Sequence, residues 1–185
     1  MIRKYSNYII VDLEATCEKD VDYPHEIIEI GAVKVQVINN TPSIVDEFVK
    51  FVKPKLNHTL TDFCKELTSI TQEDVNNAAG FPTALKEFRD WMGEDWLMCS
   101  WGFYDRKQFL KDSVDQGIDE SWLPSSKHIS LKHQYSEVVH KTKKRFGLGK
   151  AIRKEGFVFE GIAHRGIDDA RNIAKIFVKY FDKWE

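Results

Sequence analysis

Asp12 and Glu14 stand two residues apart at the end of the first apolar run, Tyr8-Ile9-Ile10-Val11-Asp12-Leu13-Glu14, and a second polar stretch, His164-Arg165-Gly166-Ile167-Asp168-Asp169, lies near the C-terminus. Alternate side chains of a strand share a face, so the two carboxylates project together while Leu13 points into the opposite layer. Side by side at the end of a buried strand they repel, and a cation would offset that repulsion. An all-oxygen donor set suits magnesium or manganese rather than zinc. The plainer alternative is a strand end that has run out into water with both acids hydrated. Whether further ligands converge on the pair decides between the two.

Convergence needs a scaffold, and the chain spells one out. Tyr8 to Asp12, Ile27 to Val37 and Ile44 to Val52 read as three strands, rich in Ile, Val and Phe, with Asn39-Asn40-Thr41-Pro42 as a short connection that makes the second and third antiparallel neighbours. Helical punctuation follows: Thr61 to Leu67, an N-cap signal at Thr71-Gln72-Glu73-Asp74, and Phe81 to Met92 with Pro82 early in it. Trp96 to Trp101 reads as a buried strand ended by Gly102, and Asp105 to Gln116 as the helix after it, which sets Asp105 at a strand-to-helix junction. Beyond Pro124 come an apolar patch at His128-Ile129-Ser130-Leu131, a helical stretch to about His140, a basic segment, and a helix from Leu148 to Lys154. In the last element, Ile167 to Phe181, Ala170, Ile173, Ala174, Phe177 and Val178 share a face that would pack on the sheet. One α/β domain over residues 1–185 with a mixed sheet is the expected architecture.

Composition narrows the function. The 27 basic and 29 acidic residues give a net charge of -2, so a basic surface for nucleic acid must be local. No apolar run reaches bilayer length, and Met1 to Ser6 carries no signal-peptide core, so a cytoplasmic protein without a membrane partner is expected. Three cysteines, Cys17, Cys64 and Cys99, with no Cys-x-x-Cys spacing argue against disulfides and structural zinc, and Cys17 reads as a small buried hydrophobe rather than a nucleophile.

With Asp12, Glu14, Asp105, His164 and Asp169 in hand, the chain resembles the Asp-Glu-Asp-Asp-His exonucleases. Their motifs, Asp-x-Glu, a second Asp, and His-x-x-x-x-Asp, match those five positions. Asp12-Leu13-Glu14-Ala15-Thr16-Cys17, Pro24-His25-Glu26-Ile27-Ile28-Glu29-Ile30-Gly31, Asp62-Phe63-Cys64-Lys65-Glu66-Leu67-Thr68-Ser69-Ile70-Thr71 and His164 to Ala170 are similar to the Eri-1-type branch, which includes histone-mRNA 3′-end exonucleases and bacterial relatives described as sporulation-pathway inhibitors. Ser69 departs from the Gly common there, which bears on a local turn. The resemblance implies a ribonuclease-H-like three-layer fold, a central mixed five-stranded sheet flanked by helices.

It also implies metal-dependent 3′-5′ hydrolysis of single-stranded nucleic acid, RNA preferred over DNA, releasing nucleoside 5′-monophosphates. Asp12, Glu14, Asp105 and Asp169 would hold two divalent cations, Mg2+ or Mn2+, and His164 would serve as general base, an imidazole having an ordinary pKa near ~6.5. His164 and Asp169 are separated by about 500° of ideal helix, roughly 140° apart, so His164 must lie on the loop, with Gly166 as the breaker and Asp168 in a dipole or capping role. Ala15 matches a position whose backbone meets the terminal sugar, and Phe63 and Leu67 match residues that sandwich the last base; a core contact at i and i+4 is their competing role. Trp101, Phe103 and Tyr104 read mostly as core. Lys143, Lys144 and Arg145 could guide the phosphate backbone, or simply form a solvated face. Two other functions share the fold: a catalytically weak nucleic-acid-binding regulator, which should lack one of the ligands, and a DNA proofreading exonuclease, which should have a polymerase partner.

Overall fold

The computed structural model describes residues 5–19 and 21–185. Met1 to Lys4, part of the segment read for a leader, lie outside the described residues, as does Asp20. The described strands are β1 (Asn7–Ala15), β2 (Ile27–Ile38), β3 (Thr41–Phe51), β4 (Trp96–Ser100) and β5 (His128–Ser130). They form one sheet in the order β3-β2-β1-β4-β5, antiparallel at β3-β2 and β2-β1, parallel at β1-β4 and β4-β5. The mixed sheet expected from the sequence is the one found.

Its helices are α1 (Asp62–Thr68), α2 (Gln72–Asn76), α3 (Phe81–Met92), α4 (Tyr104–Asp115), α5 (Leu131–Gln134), α6 (Leu148–Lys154) and α7 (Gly166–Lys179). Two-residue periodicity in β1 divides the core. Tyr8 and Ile10 join Val33, Leu97, Ile173 and Phe177 on the α7 face, while Ile9, Val11 and Leu13 join Ala32, Phe88, Met98 and Phe109 on the face covered by α3 and α4. Continuing that alternation, Asp12 and Glu14 lie on the α7 face, which is how a C-terminal helix comes to share a site with the first strand.

The structure corrects some local readings. β1 runs on to Ala15 and β3 begins at Thr41, so Pro42 is a strand residue and the connection shrinks to Asn39-Asn40. Both asparagines have positive φ, 51° and 64°, the geometry of the two-residue hairpin turn that matches strand twist, and β3 is an edge strand that tolerates proline. The helical stretch to His140 is not regular: α5 opens into a π-helical turn at Tyr135–Val139, where the His140 N–H reaches the Tyr135 carbonyl. Ser69 does form the turn expected of glycine, at φ 58°, with its N–H on the Lys65 carbonyl. Thr71 and Asp74 make the reciprocal capping box. Among the described residues no helix is long and apolar enough to cross a membrane.

Candidate active site

The acids gather at the C-terminal ends of β1 and β4, where the sheet changes from antiparallel to parallel pairing. Asp12 and Glu14 come from β1. Asp105 is in the first turn of α4, two residues past the Gly102-Phe103 connection from β4, and its Oδ1 accepts the Leu13 N–H at 3.1 Å. Asp169 is in the first turn of α7, and its Oδ2 accepts the His164 N–H at 2.8 Å. Ligand atoms of Glu14, His164 and Asp169 lie within 4.8 Å of one another.

His164 is exposed on the loop before α7, as the helical geometry requires, but Gly166 is not the breaker. The left-handed residue is His164 itself, at φ 64°. Gly166 is needed for close approach: a Cβ there would lie 2.8 Å from the Asp12 carbonyl oxygen. Asp168 does not cap its own helix either. Its carboxylate accepts the Ile162 N–H and an Arg171 guanidinium N–H, each at 2.9 Å, and so ties the turn before His164 to α7.

The electrostatics are those of a buried, mutually repelling acid cluster. Burial, then repulsion from Asp105, Asp169 and Glu14, raises the Asp12 carboxyl well above the usual carboxylate range. Burial, then Asp169, Glu29 and Asp105, pushes Glu14 up to about 8 against the opposing pull of Arg165. Burial lifts Asp105 to about 6 although the Leu13 N–H and Ser100 hydroxyl favour its anion, and burial also raises Asp169. Glu14, His164 and Asp169 offer ligand atoms within 4.8 Å of one another, while Asp12 and Asp105 lie outside that group and join it through repulsion; such a cluster fits a hard divalent cation, whose charge would favour the ionised carboxylates.

Other predicted residues divide. Ala15 ends β1, and its carbonyl is 3.7 Å from the Cys64 sulfur, which binds α1 to the strand end. Cys64 and Thr68 turn inward from α1, leaving Phe63 and Leu67 half-buried outside the apolar clusters, so the core role for that pair does not hold. Phe103 and Tyr104 are not core: they are 48% and 44% exposed beside Asp105, with Tyr104 Oη 2.9 Å from His25 Nδ1 and Phe103 against the His133 ring at 4.7 Å. Trp101 is half-buried against Tyr135. Lys143 and Lys144 are exposed, but Arg145 is held by Glu137, an acid that linear order hid from the basic segment. Cys17 is half-buried beside Cys64 and its thiol is pushed up to about 12 by burial, which removes it as a nucleophile.

Sequence reasoning passed over Glu29 and Arg165. Glu29 lies directly opposite Glu14 in the β1-β2 ladder and is fully buried. Its signal was visible as the one charge in the apolar run Ile27-Ile28-Glu29-Ile30. A cavity of about 540 Å³ adjoins the cluster, lined by His164, Asp169, Ile152, Arg153 and Phe159 among others. A larger hollow of about 700 Å³ touches Trp96, which pairs with Asn7 at the far end of β1, five residues or roughly 16 Å from Asp12.

Fold and site together define an α/β domain of the carboxylate-cluster class. The sequence matches the model of a family described as Exonuclease over residues 9–177, and the chain belongs to that family. Within it the chain falls in the Eri-1-like Asp-Glu-Asp-Asp-His branch, with the ribonuclease-H-like fold. It is 33% identical over 190 residues to 3'-5' exoribonuclease 1 of Rattus norvegicus, covering 96% of this chain and 54% of the relative. It is 30% identical over 202 residues to 3'-5' exonuclease eri1 of Schizosaccharomyces pombe, covering 92% and 66%. Among solved structures, the nuclease domain of 3'hExo bound to rAMP, described as a DEDDh family member, superposes with a TM-score of 0.87 at 31% identity, covering 98% of this chain and 94% of that one. The chain spans about half the length of the mammalian relatives it matches.

Proposed function

We propose that this chain is a 3′-5′ exonuclease that hydrolyses single-stranded nucleic acid from its 3′ end, RNA in preference to DNA, and releases nucleoside 5′-monophosphates. The observation that carries the reading is the gathering of Glu14, His164 and Asp169 within 4.8 Å, beside Asp12 and Asp105. The RNA preference rests on the relatives, whose names state exoribonuclease activity. Residues 1–185 are read as one catalytic domain, since both apolar faces belong to a single sheet. A cytoplasmic location is part of the same reading, supported by three free cysteines.

Asp12, Glu14, Asp105 and Asp169 would hold two divalent cations, Mg2+ or Mn2+. When bound, such ions supply charge for the attacking and leaving oxygens of an in-line displacement. Exposed His164 would take the proton of the attacking water, its backbone fixed by the Asp169 carboxylate. Ala15 would meet the terminal sugar through its backbone, and half-buried Phe63 and Leu67 would receive the last base, a contact indifferent to base identity. Lys143 and Lys144 are assigned to the phosphate backbone, with Arg145 a weaker contributor because Glu137 already engages it.

The test incubates 5′-labelled single-stranded RNA and matched DNA with the purified protein in magnesium, manganese or chelator. A ladder shortening from the 3′ end only with metal, faster on RNA, and lost in Asp12→Ala and His164→Ala is expected. Internal or metal-independent cleavage would overturn the reading, and binding without cleavage would favour the regulatory role instead.

A further inference from the structure

Glu29 is a carboxylate near the start of β2, 0% exposed, placed opposite Glu14 on the face that already carries Asp12. Like charges directly opposite one another across antiparallel strands are destabilising, and a charge this deep needs compensation. Its compensation is specific. Glu29 Oε2 accepts the Arg165 Nε–H and the Gly166 N–H, both at 3.1 Å, while Oε1 has no donor among the described residues. Arg165 is the N-cap residue of α7 and makes no cap bond with its own side chain, so the helix is capped from β2 by Glu29.

The three residues gripped here are consecutive. The His164 N–H goes to Asp169, the Arg165 N–H to the Ile162 carbonyl at 3.2 Å, and the Gly166 N–H to Glu29. The Arg165 guanidinium also lies 5.3 Å over the Phe51 ring, which limits how it can turn. His164 sits immediately before this clamp in a left-handed conformation that a non-glycine residue keeps only when its surroundings impose it. A neutral side chain could cap α7 without setting a fifth carboxylate beside four others, so the charge itself has a use, and the group that takes it is Arg165.

We propose that Glu29 is a positioning residue of the site: paired with Arg165, it fixes the His164-Arg165-Gly166 backbone so that the His164 imidazole stays beside Glu14 and Asp169. In this role Glu29 acts through the loop, by way of Arg165 and Gly166. The assignment rests on the exonuclease reading above, and its test separates the two.

Glu29→Gln keeps an acceptor for the Gly166 N–H and loses the ion pair; Arg165→Gln loses the same pair from the other side. Each is expected to lower kcat for single-stranded RNA by roughly 10- to 100-fold with KM changed less than about 2-fold, in the range of other residues that orient catalytic ligands. The double variant should be no slower than the slower single variant, because one interaction has been removed twice. Amide exchange at residues 164–166 should be faster in Glu29→Gln, a readout that needs no turnover. Wild-type kcat in Glu29→Gln, multiplicative losses in the double variant, or unchanged exchange would overturn the proposal. If the unmodified chain shortens no substrate, the exonuclease reading fails, and the exchange measurement alone decides whether Glu29 holds the loop.

Discussion

Gly31 on β2 and Gly166 at the start of α7 meet backbone to backbone: a Cβ on Gly31 would lie 2.1 Å from the Gly166 carbonyl carbon and from the Ile167 nitrogen. Gly31 pairs with Asp12 across the ladder, and Gly166 in turn presses on the Asp12 carbonyl. The contact therefore sets how close the helix carrying Asp169 comes to the strand carrying Asp12. Gly31→Ala should displace α7 rather than be absorbed locally, since both obstructing atoms are backbone. Overpacking of this kind costs about 1–3 kcal/mol, and nuclease activity should fall more steeply than stability because the acids separate. Thermal melts and kcat on one preparation test this; an Ala variant with wild-type activity would show that the spacing does not matter.

The cluster also adds a pH dependence to stability, which His128, lowered to about 4 by burial, opposes only in the lower part of the window. For Glu14, raised to about 8, and Asp105, raised to about 6, the folded protein holds protons that the unfolded chain has released. Their protonation supports the fold at low pH, and that support is lost as pH climbs through the folded values. In chelator the melting temperature should therefore drop between about pH 5 and pH 8, with the burial-raised Asp12 and Asp169 adding in the same direction. Magnesium or manganese should remove most of the drop, because bound cations favour the carboxylates, and binding should release protons. A metal-free melting temperature flat across this window would mean the acids are not crowded as described.

Much of this was legible in the sequence, and what was not has identifiable physics. Helices α3 and α6 fall where apolar spacing and Pro82 place them, because their signals are local. Asp12 and Glu14 stood out as a same-face pair at a strand end, and Asp105 and Asp169 through resemblance to the exonuclease motifs; the structure sets all four at element ends. Gly166 was misread: a glycine required by a neighbouring backbone and one required by positive φ look alike in a sequence, and the strained residue was His164. Phe103 and Tyr104 were assigned inward on hydrophobicity, whereas they stand exposed at the strand-to-helix junction. Glu29 was missed because its partners are more than a hundred residues away, and no periodicity reports an ion pair that the fold alone brings together.

Phe63 and Leu67 offer a clean separation of binding from folding. Both lie outside the apolar clusters while their neighbours Cys64 and Thr68 are buried, so Phe63→Ala and Leu67→Ala should change stability by only about 0.5 kcal/mol. If they hold the terminal base, KM for short single-stranded RNA should rise roughly 10-fold or more, with kcat less affected. A large fall in melting temperature with unchanged KM would return the pair to a structural role.

The basic segment makes a graded prediction rather than a uniform one. Lys143 and Lys144 are exposed, whereas the Arg145 guanidinium is engaged by Glu137. Each single-strand phosphate contact contributes about 0.7 to the slope of log affinity against log salt. Replacing Lys143 and Lys144 with Ala should flatten that slope by up to about 1.4, measured in chelator so that no cleavage intervenes. Arg145→Ala should flatten it less, and Glu137→Gln should strengthen binding by freeing the guanidinium. Arg153, which lies on α6 and lines the cavity beside His164 and Asp169, should contribute more than Arg145. Equal effects from all four cations would indicate a diffuse field, and an unchanged slope in the double lysine variant would remove guidance of the strand from the account of this site.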